Sequence, residues 1–199
     1  MLRPLMVVVL IVILAGCVSR QVALTYAPSS ASLAAGEQSA VVGVKTVIDE
    51  RSNGPRWLGA IRGGYGNPLK TLETDEPVKD VVATAFADAL AARGELAPAG
   101  RETILLTVVM RRFDCNQYVR REAHADFEIT LANARSGAPI YTDHITADAV
   151  NGSVFAMNVG IFASTDDLRM VAVRTLRDAI DQALSKPGFR AALTAALGT

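Results

Sequence analysis

The chain has 199 residues, 20 of them basic and 20 acidic, so its formal charge is zero, and half of its residues are hydrophobic. That length suits a single domain, and the balanced charge offers no electrostatic footprint for nucleic acid. Two cysteines, Cys17 and Cys115, exclude a disulfide framework, and no paired Cys-x₂-Cys or His-x₃-His spacing supports a zinc site.

The first element is a secretory signal. Arg3 forms a short basic start, Leu5 to Leu14 is a ten-residue apolar run, and small residues follow. Ten residues are too few to cross a hydrocarbon core, which takes about 20 in helical form. The end of the run, Leu14-Ala15-Gly16-Cys17, looks like a bacterial lipobox. Cleavage between Gly16 and Cys17 is then expected, with a thioether-linked diacylglycerol and an amide-linked acyl chain, such as palmitate, on Cys17. One acyl chain binds membranes only marginally, whereas two or three on one residue anchor the protein stably. The alternative is an ordinary secretory signal in which Cys17 is incidental. Val18 and Ser19 follow the cysteine, where inner-membrane retention in enterobacterial-type lipoproteins is marked by an aspartate. Outer-membrane delivery with the body facing the periplasm is therefore expected. Loss of Arg3 with the signal leaves 19 basic against 20 acidic residues. Acylated Cys17 would leave Cys115 without an intramolecular partner, and burial or simple tolerance is expected for its thiol.

The expected organisation is a signal peptide over 1–16, a lipidated N-terminus and tether over 17–38, and a single α+β domain over 39–199. Pro28, the serines from Ser29 to Ser32 and Gly36 make the tether irregular, with a short strand around Val22 to Tyr26. Residues Ala40 to Ile48 are β-branched and read as a buried first strand at the centre of the sheet. Asp49 to Thr74 carries Gly54-Pro55, Gly59, Gly63-Gly64, Gly66 and Asn67-Pro68 and reads as a long irregular connection.

A helix is predicted from Asp75 to Arg93, capped by Thr74 or Asp75, with Glu76 complementing its N-terminal dipole and Pro77 in its first turn. Val78, Val81, Val82, Ala85, Phe86, Ala89 and Leu90 recur at helical spacing as its core face, and Gly94 stops it. Thr103 to Phe113 reads as an interior strand with Ile104, Leu106, Val108 and Met110 inward. Val119 to Leu131 alternates Val119, Ala123, Ala125, Phe127, Ile129 and Leu131 with Arg120, Glu122, His124, Asp126 and Glu128, so one face should meet water. A turn at Ser136-Gly137 returns Ile140 to Val150 as a hairpin partner. Asn151 to Ala163 is apolar but interrupted by Gly152, Asn158 and Gly160. It fits a buried strand, an amphipathic flap or a partner contact. Ser164 and Thr165 cap a second helix to about Ser185, with Leu168, Val171, Ala172, Thr175, Leu176, Ala179, Ile180 and Ala183 inward. Pro187-Gly188 ends it, and Phe189 to Leu197 can form a last short helix. The order of elements predicts the α+β class, an antiparallel sheet of about four strands with two main helices packed on one face.

Candidate chemistry is sparse. The glycines from Gly59 to Gly66 lack the Gly-Lys-Ser/Thr ending of a phosphate loop and do not open onto a helix. His124 and Asp126 share a strand face, and His144 lies near Asp143 and Asp148. A metal site would require His144 opposite His124, and cross-strand ion pairs on a solvated face are the expectation instead. A Cys115–His124 nucleophile would have to form across a loop with no third orienting group. Trp57 and Tyr65 are candidate partner contacts, aromatics being favoured interface anchors. Arg111, Arg112, Arg120 and Arg121 bracket residues 113–119, so a turn there would gather four arginines for anionic headgroups or an acidic partner, unless Glu102, Asp114 and Glu122 neutralise them. No catalytic residue, metal or cofactor is assigned.

The lipobox Leu14 to Cys17, the strand Val41 to Ile48 running into Asp49-Glu50-Arg51, and the entry Asp75-Glu76-Pro77-Val78 to a helix ending Ala92-Arg93-Gly94 together resemble the YajG-like bacterial lipoproteins. The resemblance covers most of the mature chain in element order and implies an envelope lipoprotein with no catalytic residues. A looser fold-level likeness exists to auxiliary lipoproteins of envelope ABC-type lipid or solute transport. The expected function is a non-enzymatic binding or assembly component, held to the membrane by its lipid and meeting an unidentified envelope protein. The alternative is a transport auxiliary, and an envelope hydrolase is a third reading.

Overall fold

The computed structural model describes residues 18–27, 41–151 and 164–197. The lipobox with Cys17, most of the expected tether and the stretch 152–163 lie outside the described residues. Seven strands form one sheet, in the order β1 (Val18–Val22), β4 (Pro68–Thr74), β3 (Trp57–Arg62), β5 (Ile104–Gln117), β6 (Arg121–Asn133), β7 (Pro139–Asn151), while β2 (Val42–Asp49) pairs with β5 off that path. Three helices complete the described chain: α1 (Val78–Ala92), α2 (Thr165–Ser185) and α3 (Pro187–Leu197).

The organising strand is β5. Its 14 residues pair with β6 along their whole length, while its other edge is shared. There β2 runs parallel to the first part, from Val42 opposite Ile104 to Asp49 opposite Met110, and β3 runs parallel to the end, from Gly59 opposite Cys115 to Ile61 opposite Gln117. Period-2 patterning explains the layering. Ile104, Leu106, Val108, Met110, Phe113 and Cys115 on β5, with Ala123, Ala125, Phe127, Ile129 and Leu131 on β6, are buried beneath the helices. The α1 side chain Phe86 meets Phe127 edge-on at 6.1 Å between ring centroids, and Phe189 of α3 meets Tyr141 of β7 at 6.3 Å. Leu168, Val171, Ala172, Leu176, Ala179, Ile180 and Ala183 of α2 are buried in the same core.

The α+β class with helices on one face therefore stands, but the sheet departs from the expected antiparallel one of about four strands. It is mixed, because β1 with β4, β2 with β5 and β3 with β5 are parallel. Residues 49–74, expected as an irregular connection, contain the antiparallel pair β3 and β4. Their glycines mask this in the sequence. At Gly59 a Cβ would stand 1.8 Å from the carbonyl oxygen of Cys115, so the glycine marks a close backbone approach inside the sheet. Gly63 N donates to Asn67 O at 2.8 Å and Gly66 takes φ +79, closing the turn. The first strand of the domain, β2, is also not central, since among the strands it pairs with β5 alone.

The N-terminal segment differs most from expectation. Instead of a tether it begins as strand β1, earlier than the short strand expected around Val22 to Tyr26, paired from Val18 opposite Lys70 to Val22 opposite Thr74. Val22 and Tyr26 are buried, and the Ala23 carbonyl accepts from Arg169 Nη1 of α2 at 3.3 Å. Burial, then the nearby Asp181, pushes the Tyr26 phenol up to about 12.

Helix ends follow different rules at α1 and α2. Ser164 caps α2 as expected, its Oγ accepting from Asp167 N at 3.2 Å. No side chain caps α1, because Pro77 holds the N-cap position, and the Thr74 hydroxyl donates to the carbonyls of Arg56 and Glu76 instead. Val78 N finds the Pro55 carbonyl at 2.8 Å. The predicted core face of α1 is buried apart from the half-buried Val81, and Gly94 at φ +68 ends the helix.

Candidate functional site

The face of β5, β6 and β7 turned away from the helices carries cross-strand pairs of polar and charged side chains. Register sets the partners. His124 stands opposite Asp148 and His144 opposite Glu128, so the two histidines do not face each other. His124 Nδ1 lies 2.5 Å from Asp148 Oδ1, and His144 Nε2 lies 2.5 Å from Asp126 Oδ1 on the diagonal. Among the described residues no three His, Cys, Asp or Glu side chains converge as metal ligands. Cys115 pairs with Ala123, on the helix-covered side, whereas His124 is on the open side. Burial, aided by the Asp114 charge, raises the Cys115 thiol far above its ordinary pKa. Thiol and imidazole therefore cannot act together.

The four arginines are not one cluster. A bulge between Met110 and Arg112 leaves Arg111 and Arg112 both exposed in mid-strand. Arg111 Nη2 binds Glu128 Oε2 at 2.6 Å and Arg112 Nε binds Asp114 Oδ2 at 2.9 Å. Because β5 continues to Gln117, the other pair lies about 17 Å further along, at about 3.3 Å per residue. There Arg121 Nη2 binds Asp167 Oδ2 at 2.8 Å, while Arg120 is exposed and has no ion-pair partner among the described residues.

Trp57 and Tyr65 are likewise apart. Trp57 opens β3, half-buried, and its carbonyl accepts from Arg51 Nη1 at 2.8 Å. Tyr65, at the tip of the β3–β4 turn, is 102% exposed. The expected contact set thus divides between mid-sheet (Trp57, Arg111, Arg112) and one end of the sheet (Tyr65, Arg120, Arg121).

That end gathers Tyr118, which the sequence reading passed over, and Val119, which is expected from the sequence on the inward side of the strand but lies before β6 and is exposed. Tyr118 and Val119 form the β5–β6 tip, both exposed, and Tyr118 Oη donates to the Gly64 carbonyl at 2.6 Å, tying the two tips together. Arg62 Nη1 donates to Gly66 O at 3.1 Å within the same turn. A cavity of about 490 Å³ between the tips is lined by Arg62, Asn116, Tyr118, Val119, Arg120 and Glu122. The exposed Val150 and Met170 stand at this end too, beside a cleft of about 390 Å³ that Arg121, Arg174 and Arg177 also line. The sequence signal for this grouping, alternating tips at 63–67 and 118–120, becomes readable only once β3 and β4 are recognised as strands.

Three further ion pairs hold the framework. Arg51 reaches both oxygens of Asp49 at 2.9 Å and the carbonyls of Trp57 and Phe113, joining the ends of β2 and β3 to mid-β5. Behind the sheet, Arg93 Nη2 binds Asp181 Oδ1 at 3.0 Å and Arg190 binds the buried Glu95. Burial raises the Glu95 carboxyl despite the opposing Arg190 and Arg93 charges.

No protein-family profile matches the chain, and no curated protein matches it in sequence. Its fold is shared with solved structures. A Xanthomonas campestris protein of family DUF330 superposes with a TM-score of 0.60 at 14% identity, covering 88% of this chain and 99% of its own. A second, uncharacterised protein gives 0.57 at 10% identity, covering 84% and 97%. A Caulobacter crescentus protein with a provisional lipoprotein assignment gives 0.44 at 16% identity over 61% and 84%, and at that score it supports no inference about this chain. At these identities the likeness to the first two is one of fold: the chain has the mixed α+β architecture of a DUF330 protein.

Proposed function

We propose that the protein is a lipid-anchored, non-enzymatic binding or assembly component of the bacterial envelope, as its resemblance to YajG-like lipoproteins implies, attached through Cys17 to the outer membrane and facing the periplasm, as Val18 and Ser19 after the lipobox suggest. One observation carries this reading: β1 begins at Val18, directly after Cys17, and is built into the sheet opposite Lys70. An acyl anchor on Cys17 would join the rigid body itself, with no slack between lipid and domain. Among the described residues, the Cys115 thiol is buried and His124 and His144 each pair with an aspartate on the open face of the sheet. The surfaces left for partners are the mid-sheet row with Arg111 and Arg112 and the hairpin-tip end. No cofactor and no nucleic acid enters this reading.

The test is an affinity pull-down of the full chain from gently solubilised envelopes, beside a Cys17→Ala control, with intact-mass analysis of the N-terminus. Diacylated or triacylated Cys17 and a stoichiometric partner lost in the control are expected. An unmodified Cys17 with no enriched partner refutes the reading.

A second reading, an auxiliary of envelope ABC-type transport, is favoured by the cleft between β7 and α2. It sets Ala149, Val150, Met170 and Val171 against Arg121, Arg174 and Arg177, whose guanidinium groups pair with Asp167 and Asp178, an amphipathic lining in which a headgroup would compete with those carboxylates. At about 390 Å³ it matches a small-ligand site rather than a whole phospholipid. Lipid co-purifying with the Cys17→Ala chain, and lost on Met170→Glu, would favour transport over assembly.

A further inference from the structure

We propose that the sheet end bearing the 63–67 and 118–120 turns is a membrane-resting surface that seats on anionic lipid headgroups, in the same leaflet that holds the anchor. This rests on the reading of Cys17 as the lipid attachment point and adds to it an orientation and a lipid class.

The register places the chain's exit at this end. Val18 lies opposite Lys70, Lys70 opposite Ile61, and Ile61 opposite Gln117. From the start of β1 to the end of β5 is three strand spacings, about 15 Å at about 4.8 Å each. A lipid on residue 17 would therefore bring both turns to the bilayer surface.

The chemistry of the turns suits that position. Tyr65, Tyr118 and Val119 are exposed, and tyrosine rings favour the headgroup level, where one end is apolar and the other wet. Segments 62–70 and 116–122 hold Arg62, Lys70, Arg120 and Arg121 against a single acid, Glu122. Asp167 at the start of α2 pairs with Arg121, and Arg120 is exposed with no ion-pair partner among the described residues. The excess is cationic, and cations near an anionic leaflet each strengthen attachment. The 133–138 turn at the opposite end carries one cation, Arg135, and no aromatic residue. The Tyr118–Gly64 hydrogen bond fixes the two tips as one pad instead of two independent loops.

The experiment uses the full acylated chain reconstituted into vesicles of phosphatidylcholine doped with phosphatidylglycerol, part of the lipid brominated near the headgroup end of its acyl chains. Trp57→Phe removes the native tryptophan, and Tyr65→Trp, Val119→Trp and Ile140→Trp each place one reporter. The expected result is strong bromine quenching at 65 and 119 and several-fold weaker quenching at 140, at the far end of the sheet. Arg120→Gln, or added salt, should reduce the quenching at 65. Equal quenching at 65 and 140, or none at 65 and 119 in protein that remains vesicle-bound, overturns the surface and leaves the anchor standing. A chain that leaves the vesicles with an unmodified Cys17 mass overturns the anchor and the surface with it.

Discussion

Replacing Arg51 with alanine should be among the most damaging single changes at a polar residue. Its guanidinium holds both Asp49 oxygens at 2.9 Å, the Trp57 carbonyl at 2.8 Å and the Phe113 carbonyl at 3.1 Å, and its side chain is 2% exposed. Truncation takes the guanidinium from two carbonyls and the Asp49 carboxylate at the junction of three strands, leaving Asp49 the backbone N–H of residue 51 at 3.1 Å. Removing one partner of a buried pair costs about 3–5 kcal/mol. Asp49 retains some solvent access, so the lower end, about 3 kcal/mol, applies. For a domain of this size that lowers the melting temperature by about 6–12 °C. Arg51→Lys should recover only part, since one ammonium cannot span the fork. Arg112→Ala, at an exposed pair, should cost under about 1 kcal/mol.

The pH dependence adds a second readout. Burial pushes the Asp49 carboxyl up, but hydrogen bonds and charge from Arg51 outweigh it and hold the group below its ordinary value. A depressed folded pKa stabilises above the unfolded value of about 3.9 and loses that stabilisation as pH falls through the folded value. Arg51→Ala should therefore flatten the acid limb of wild-type stability, followed by circular dichroism melts from neutral pH to pH 3. A variant melting within about 2 °C of wild type, against the several degrees expected per few kcal/mol, with the acid limb intact, would refute this account of Arg51.

Three other outcomes are expected. Gly59→Ala should destabilise by about 3 kcal/mol or more in urea unfolding, because its Cβ would meet backbone of Cys115, whereas Gly54→Ala, with nothing within 4 Å, should be close to neutral. Cys115 should react with iodoacetamide at pH 8 only as fast as the sheet opens, and mild denaturant should accelerate labelling seen by mass spectrometry. Hydrogen bonds from Lys186 and then Tyr141 hold the Asp143 carboxyl down at about 2, so Lys186→Ala should raise its titration midpoint, read by carboxyl-carbon NMR. The group is near the surface, so stability should change by less than about 1 kcal/mol, with the difference confined to acid pH between the unfolded and folded values.

The elements that could be read from sequence were those whose partner is a nearby solvent-free face. The stripes of α1 and α2 and the alternation of β6 each state their own burial, and Ser136-Gly137 marks the β6–β7 turn by local geometry alone. β3 could not be read that way. Paired on both edges, it shows no alternation, and Gly59, required by the contact with Cys115, resembles a breaker. β1 is five residues long and acquires its conformation from β4, about fifty residues away in sequence. The ion pairing of the open face was legible, because charged residues alternated with apolar ones on β6. The gathering of tips at one end was not, because it depends on β3 running parallel to β5, a relation no local pattern encodes. The separation of Arg111 and Arg112 from Arg120 and Arg121 follows from how far β5 extends, and polar Asp114 and Asn116 disguise that length.

The attachment of the N-terminal segment also orders events in time. Ala23 is held by Arg169, 146 residues later. Parallel pairings and contacts of such long separation form late, after hairpins such as β5–β6–β7, because their loop closure must come first. On the proposed reading of Cys17 as the anchor, its acylation would precede the docking of β1, which waits on the delivery of α2.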